Sequence, residues 1–142
     1  MHIGAAVIVV RPGSPEHVLL VREGCSNTEI GKEEGMLSLP AGHSEASELP
    51  SETAVREAYE ETGYRIRILH RLEGEYGDEN TQGQVFVGEI ISTEPKGPIG
   101  DDIAAILWAE LSQVLCGQYG SLRPQMVAPL TAYRDQFLPD SG

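Results

Sequence analysis

Glu57, Glu60 and Glu61 stand at positions i, i+3 and i+4, a spacing that on an α-helix gathers three carboxylates on one face. Each like-charged pair at this spacing costs roughly 0.2 to 0.5 kcal/mol. The trio also falls in the last turns of the helix that ends before Gly63, where the helix dipole disfavours anions. Arg56, four residues ahead of Glu60, offsets part of the repulsion but cannot neutralise three acids. A divalent cation can. Oxygen donors without neighbouring Cys or His favour a hard ion, Mg2+ or Mn2+, over zinc or copper. Taken alone, the three glutamates fit a merely solvated helix end equally well; violations of local rules in such a cluster are nevertheless expected at functional sites.

The flanking residues narrow the choice. From Gly42 the chain runs Gly, five residues, Glu48, seven residues, Arg56-Glu57-Ala58, one residue, Glu60-Glu61, one residue, Gly63-Tyr64. At background frequencies of about one in fifteen, seven fixed residues in this pattern arise by chance on the order of once in 10⁸ placements. The segment from Gly42 to Tyr64 resembles the Nudix box at every fixed position, and the flank Leu39-Pro40-Ala41 is similar to that family as well.

The resemblance implies a single Nudix hydrolase domain over residues 1–142, folded as an α/β/α sandwich with a mixed β-sheet between helices. It implies Mg2+, with Mn2+ as a substitute, held by Glu57, Glu60, Glu61 and the backbone carbonyl of Ala41, with Glu57 also the base. Arg56 and Glu48 match the pair that braces the helix in that family. Asp101 or Asp102 is the expected further acid from outside the box, with a capped turn after Pro98 and Gly100 as the plain alternative. Arg22, at the end of the second strand, corresponds to a basic residue that relatives turn toward phosphates. The implied reaction is attack by water on phosphorus of a diphosphate.

These side chains need a scaffold, and the hydrophobic pattern supplies one. Gly4 to Val10 and Val18 to Arg22 read as strands joined by a turn at Arg11-Pro12-Gly13-Ser14-Pro15. Glu23 to Gly35 lacks periodicity and reads as a loop. A helix is expected over 51–62, with Ser51 as N-cap and Gly63 closing it in the left-handed conformation. Ala54, Val55, Ala58, Tyr59 and Thr62 form its less polar side. Gly42 is expected in a turn, its missing Cβ permitting positive φ or close approach. Tyr64 to Leu72, Gln84 to Ile91 and Ala104 to Ala109 read as further strands, with a short helix near 111–116. Met126, Leu130, Tyr133 and Phe137 recur at helical spacing, with Pro124 at the start and Pro129 expected to bend that last helix.

Composition excludes several classes. The chain is 142 residues long, 40% hydrophobic and 23% charged, which suits an ordinary globular domain. A formal charge of −12 repels long nucleic acids. No stretch approaches the roughly 18 apolar residues of a membrane span, and Cys25 and Cys116 form no metal-type or disulfide pattern. The expectation is a cytoplasmic monomer or homodimer acting on a small nucleotide-type diphosphate. A nucleoside triphosphate or similar small nucleotide is favoured. An ADP-ribose or nucleotide-sugar pyrophosphatase is the alternative, lowered because Glu79 and Asn80 stand where ADP-ribose hydrolases often carry proline; Thr81 and Gln82 replace the tyrosine of dinucleoside polyphosphate hydrolases. A Nudix-like domain that binds nucleotides without cleaving them is the rival of another class, disfavoured by the three intact glutamates. Trp108, Tyr76, Phe86 and Tyr119 are aromatic residues for which core packing is the ordinary use.

Overall fold

In the computed structural model, which describes residues 2–30, 32–77 and 80–137, the run of apolar residues after His2 becomes the centre of the sheet. Strand β1 (His2–Arg11) is buried from Gly4 through Val10, as a strand covered on both faces must be. Its side chains alternate. Ala5, Val7 and Val9 join one core with Ala54, Ala58, Tyr64 and Phe86. Ala6, Ile8 and Val10 join a second core with Leu111, Val114, Leu130 and Tyr133. Each fully buried Leu or Ile contributes about 1.5–3 kcal/mol, so both faces of the sheet demand a helical cover.

Strand β2 (Ser14–Glu23) returns antiparallel to β1 after a turn at Pro12-Gly13, with Arg11 opposite Ser14. Two short strands follow, β3 (Leu37–Ser38) on β2 and β4 (Ala41–His43) on β1. Helix α1 (Pro50–Thr62) precedes β5 (Ile66–Arg71), the two-residue β6 (Tyr76–Gly77) and β7 (Thr81–Ile90). β7 runs parallel to β1, from Thr81 beside His2 to Glu89 beside Val10. Strand β8 (Ile103–Glu110) pairs with β2, and helices α2 (Leu111–Leu115) and α3 (Val127–Phe137) complete the chain. The main path of the sheet is β3-β2-β1-β7-β5. With α1 on one face and α2 and α3 on the other, this is an α/β/α sandwich around a mixed sheet. Among the described residues no helix is long and apolar enough to cross a membrane.

Four local expectations are corrected. Ser51 is not the N-cap: the helix begins at Pro50 with Leu49 ahead of it, because proline's fixed φ suits the first helical position and its missing N–H costs nothing there. The Leu49 N–H instead donates to the Glu52 carboxylate at 2.8 Å. Gly42 lies in β4 rather than in a turn, and its φ is not positive; three residues are too few to show a period. Strand β6 lies in the turn-rich stretch between Leu72 and Gln84, where no strand pattern is legible, and Glu79 lies outside the described residues, as do the ends of the expected 1–142 domain. Pro129 sits in the first turn of α3, after a 3-10 turn at Pro124–Met126, where its absent N–H has no helical acceptor to lose.

Helix α1 presses onto the sheet through Thr53, Ala54, Ala58 and Thr62, side chains small enough to allow close approach. At its end Gly63 takes φ 80° and its N–H donates to the Tyr59 carbonyl at 2.8 Å. The Gly63 carbonyl then accepts from the amides of Lys96 at 2.7 Å and Gly97 at 3.2 Å, while the Gly100 amide donates to the Glu61 carbonyl at 3.0 Å. A Cβ on Gly63 would overlap the Gly97 carbonyl oxygen, whereas Gly13, also at φ 80°, has nothing within 4 Å. Both Gly→Ala substitutions should lose about 1–2 kcal/mol for left-handed backbone, and Gly63→Ala should lose distinctly more. Urea denaturation of the two variants checks this; equal losses would show that the 95–100 loop does not clamp the helix.

Candidate active site

The box residues meet where the C-terminal half of α1 passes under β4. Antiparallel pairing of Gly4, Ala5 and Ala6 with His43, Gly42 and Ala41 lays the β4 backbone across the carboxylates of the helix. A Cβ built on Gly42 would fall on the Glu57 carboxyl group, so the glycine serves a close approach, to a carboxylate of the same chain rather than to phosphate. The Ala41 N–H points to Glu61 Oε2 at 3.4 Å. The lining of a cleft of about 510 Å³ includes Ala41, Gly42, Glu57, Glu60 and Glu61.

Arg56 organises this wall. Its Nε donates to Glu48 Oε2 at 2.7 Å and its Nη2 to Glu48 Oε1 at 3.0 Å, a bidentate pair. Nη2 also reaches the His43 carbonyl at 3.0 Å, and Nη1 contacts Glu57 Oε1 at 2.7 Å and Glu60 Oε2 at 3.1 Å. The Arg56 hydrogen bonds, with those from the Glu45 amide and Thr53, hold the Glu48 carboxyl down at about 2. Glu48 is therefore ionised throughout the physiological range, and Arg56 is pushed further toward its charged form, first by Glu48. The helix is thus tied at once to the loop before it and to β4.

Glu61 behaves differently. Burial, and then the hydrogen bond and negative charge of Glu57, push its carboxyl up to about 10. Without a cation Glu61 retains its proton beside Glu57, since two close carboxyl groups resist ionising together. Among the described residues no three His, Cys, Asp or Glu side chains stand converged as a ready ligand shell, and Arg56 contacts oxygens of Glu57 and Glu60. The donor set is nonetheless all oxygen, with four carboxylates around one guanidinium, which would suit a hard divalent ion.

The residues expected from outside the box divide. Asp101 and Asp102 both line the cleft, delivered there by the loop that clamps the helix end and by the Gly24 amide, which donates to the Asp102 carbonyl at 2.8 Å. Arg22 is not among the lining residues: its guanidinium donates to the Gly35 carbonyl at 3.0 Å and the Tyr119 carbonyl at 3.2 Å. The strand pairing with β8 shifts register between Arg22 and Glu23, and it is Glu23 that lines the cleft, buried, with Lys32 Nζ at 3.5 Å. Nothing in the sequence marks that bulge. Arg123, just ahead of the 3-10 turn at Pro124–Met126, and Gln125 within it line the cleft too and carry no local motif. Of the aromatics, Tyr76 lines the cleft, Phe86 is core, Trp108 lies under the Arg11 guanidinium at 4.1 Å, and the Tyr119 hydroxyl donates to Gln113.

Known proteins agree with this picture. The NUDIX domain family matches residues 1–131. A Caenorhabditis elegans protein named as a nudix hydrolase is 35% identical over 71 residues, half of this chain but 18% of that protein. The chain therefore spans only a small part of that relative. A NUDIX hydrolase from Nitrosomonas europaea superposes with a TM-score of 0.76 at 19% identity, covering 94% of this chain and 88% of the other. An ADP-ribose pyrophosphatase from Streptococcus suis gives 0.71 at 14% identity, covering 99% and 94%. At these identities the structures attest the fold, while the match along residues 1–131, with the box residues gathered around Arg56, shows that the chain belongs to the Nudix hydrolase family.

Proposed function

We propose that this chain is a Mg2+-dependent pyrophosphohydrolase that cleaves a diphosphate linkage in a small nucleotide derivative, a nucleoside triphosphate or a close relative being the favoured substrate. The observation that carries this reading is the carboxyl pair of Glu57 and Glu61 beneath the Gly42 backbone, with Glu60 and Arg56 beside it. Glu57, Glu60 and Glu61 would hold the ion, with the Ala41 carbonyl, and Asp101 or Asp102 is the proposed further acid. A bound Mg2+ or Mn2+ supplies charge neutralisation for the diphosphate and makes a water acidic enough to attack phosphorus. Glu57 accepts the proton of that water as its oxygen forms the new bond to phosphorus, and the bond to the bridging oxygen breaks, releasing two phosphate-bearing products. Arg56 orients Glu57 through the contact of its Nη1 with Glu57 Oε1, and Glu48 keeps Arg56 in place. An acidic protein at −12 repels a polyphosphate until a cation screens it. An ADP-ribose or nucleotide-sugar substrate is the second reading, supported by the likeness to the Streptococcus suis protein.

Phosphate or pyrophosphate release from a panel of nucleoside triphosphates, ADP-ribose and nucleotide sugars, with and without Mg2+, tests the reading. Magnesium-dependent turnover of at least one member is expected; tight binding of one member with no turnover of any would instead mark a binding domain. Glu57→Gln should lower kcat by roughly 10² to 10⁴ with the circular dichroism spectrum unchanged, and retained turnover would remove Glu57 from the role of base. The pH dependence follows from Glu61. Its raised pKa means that the metal-free folded state holds a proton which the unfolded chain has lost, so metal-free stability falls as pH rises from about 4.5 toward about 10. Cation uptake must displace that proton, so Mg2+ affinity should rise up to about tenfold per pH unit between pH 6 and 9. Isothermal titration calorimetry reads this directly, and an affinity flat across that range would contradict a proton held on Glu61.

A further inference from the structure

The two margins of the sheet are built differently. Strand β5 ends the path on one side, and it is guarded. Arg65 just ahead of it and Arg67 and Arg71 within it are exposed, and its pairing with β7 shifts register between Ile68 and His70. Charged side chains and bulges are the usual means by which an edge strand refuses another chain. Strand β8 forms the other margin. Val18 pairs with Val10 of β1 and with Ala109 of β8, and Val21 with Ser38 of β3 and with Ile106 of β8. A strand residue has two sides, so β8 lies on the side of β2 away from β1 and β3. Among the described residues it pairs with no second strand.

From Ile103 to Ala109, β8 nevertheless reads Ile-Ala-Ala-Ile-Leu-Trp-Ala, without a charge or a proline. That composition belongs to an inner strand such as β1, which is flanked and covered. In β8, Ile106, Leu107 and Trp108 are only half-buried. Ile106 and Trp108 sit at the border of the core under α1, and Leu107 at the border of the core on the opposite face. In a chain of which 23% of residues are charged, an uncharged open edge is a template for one more strand.

A second copy of this chain fits that edge. Two β8 strands pairing antiparallel about a two-fold axis at Leu107 keep their faces in phase. Ile106 then stands opposite Trp108 of the other copy, and Ala105 opposite Ala109 of the other copy. By symmetry each contact occurs on both sides of the axis. Cross-strand pairs of an aromatic with a β-branched residue are favourable. Glu110 meets Ala104 of the other copy and no charge. An axis at Ile106 would instead set Asp102 opposite Glu110 of the other copy, so like charges disfavour that register. We propose that the chain associates as a two-fold dimer through β8, its sheet continuing into that of the second copy. The inference does not depend on which diphosphate is cleaved.

Sedimentation equilibrium of the wild-type protein should give a mass approaching two chains by about 500 µM in about 0.3 M NaCl, where repulsion between two copies at −12 is screened. A mass fixed at one chain up to that concentration overturns the proposal. Leu107→Lys and Leu107→Glu each bring like charges together across the axis and should run as monomers, while their equimolar mixture should recover the dimer. Dimers that survive both substitutions, or a mixture that stays monomeric, contradict the β8 pairing. Should either variant fail to fold by circular dichroism, Leu107→Cys in a Cys25→Ser, Cys116→Ser background decides, because residues facing each other across the axis stand within disulfide reach. Mild oxidation should then cross-link two copies at position 107 and leave Leu69→Cys, exposed on β5, as single chains; no cross-link at 107, or equal cross-linking at both positions, sinks the idea.

Discussion

One guanidinium holds the site together. Three carboxylates at the C-terminal end of a helix repel each other and oppose the helix dipole, and the Arg56 side chain answers both problems by contacting Glu48, Glu57, Glu60 and the His43 carbonyl. Its partners come from the loop ahead of α1, from α1 itself and from β4. The contact does more for position than for stability, as is usual for ion pairs that give up solvation to form. With the fork fixed by Glu48, Glu57 is held where the missing side chain of Gly42 leaves room for its carboxyl.

The arrangement works only if the helix and β4 stay in register, and the sheet sees to that. Three residues of β4 pair with β1, which is locked between β2 and the parallel β7 and buried on both faces. The helix lies close because Ala54, Ala58 and Thr62 face the sheet. Its far end is closed by Gly63 and by amides of the 95–100 loop, and the same loop carries Asp101 and Asp102 to the cleft. Capping and site assembly are one structural event. Glu61 then retains its proton well above the usual carboxylate range, and Arg56 offsets part of the charge of Glu57 and Glu60.

Much of this was legible in the residues. The helix, its left-handed glycine stop, the first hairpin, the long strands and the terminal helix follow from periodicity and turn chemistry over windows long enough to show them. The misses share one cause, the shortness of the signal. Strand β4 and strand β6 hold three and two residues and exist only because a neighbour offers hydrogen bonds. Ser51 gave way to Pro50 because a rigid φ at the first helical position competes with a capping hydroxyl. Pro129 falls in a first turn, where its lack of an N–H does no harm.

Sequence by itself determined the family and the identity of the acidic wall, since Glu48, Arg56, Glu57, Glu60 and Glu61 are brought together by helical spacing and a short preceding loop. Such contacts are local, so spacing encodes them. Only the tertiary structure decided that Glu23 rather than Arg22 faces the cleft, that Asp101 and Asp102 reach it, and that Arg123 and Gln125 complete it. Those outcomes depend on a register shift between β2 and β8, on a loop anchored by backbone amides, and on where α3 lands after the chain has crossed the sheet. Each is a contact between residues distant in the chain, and no residue's own type or spacing records its partner.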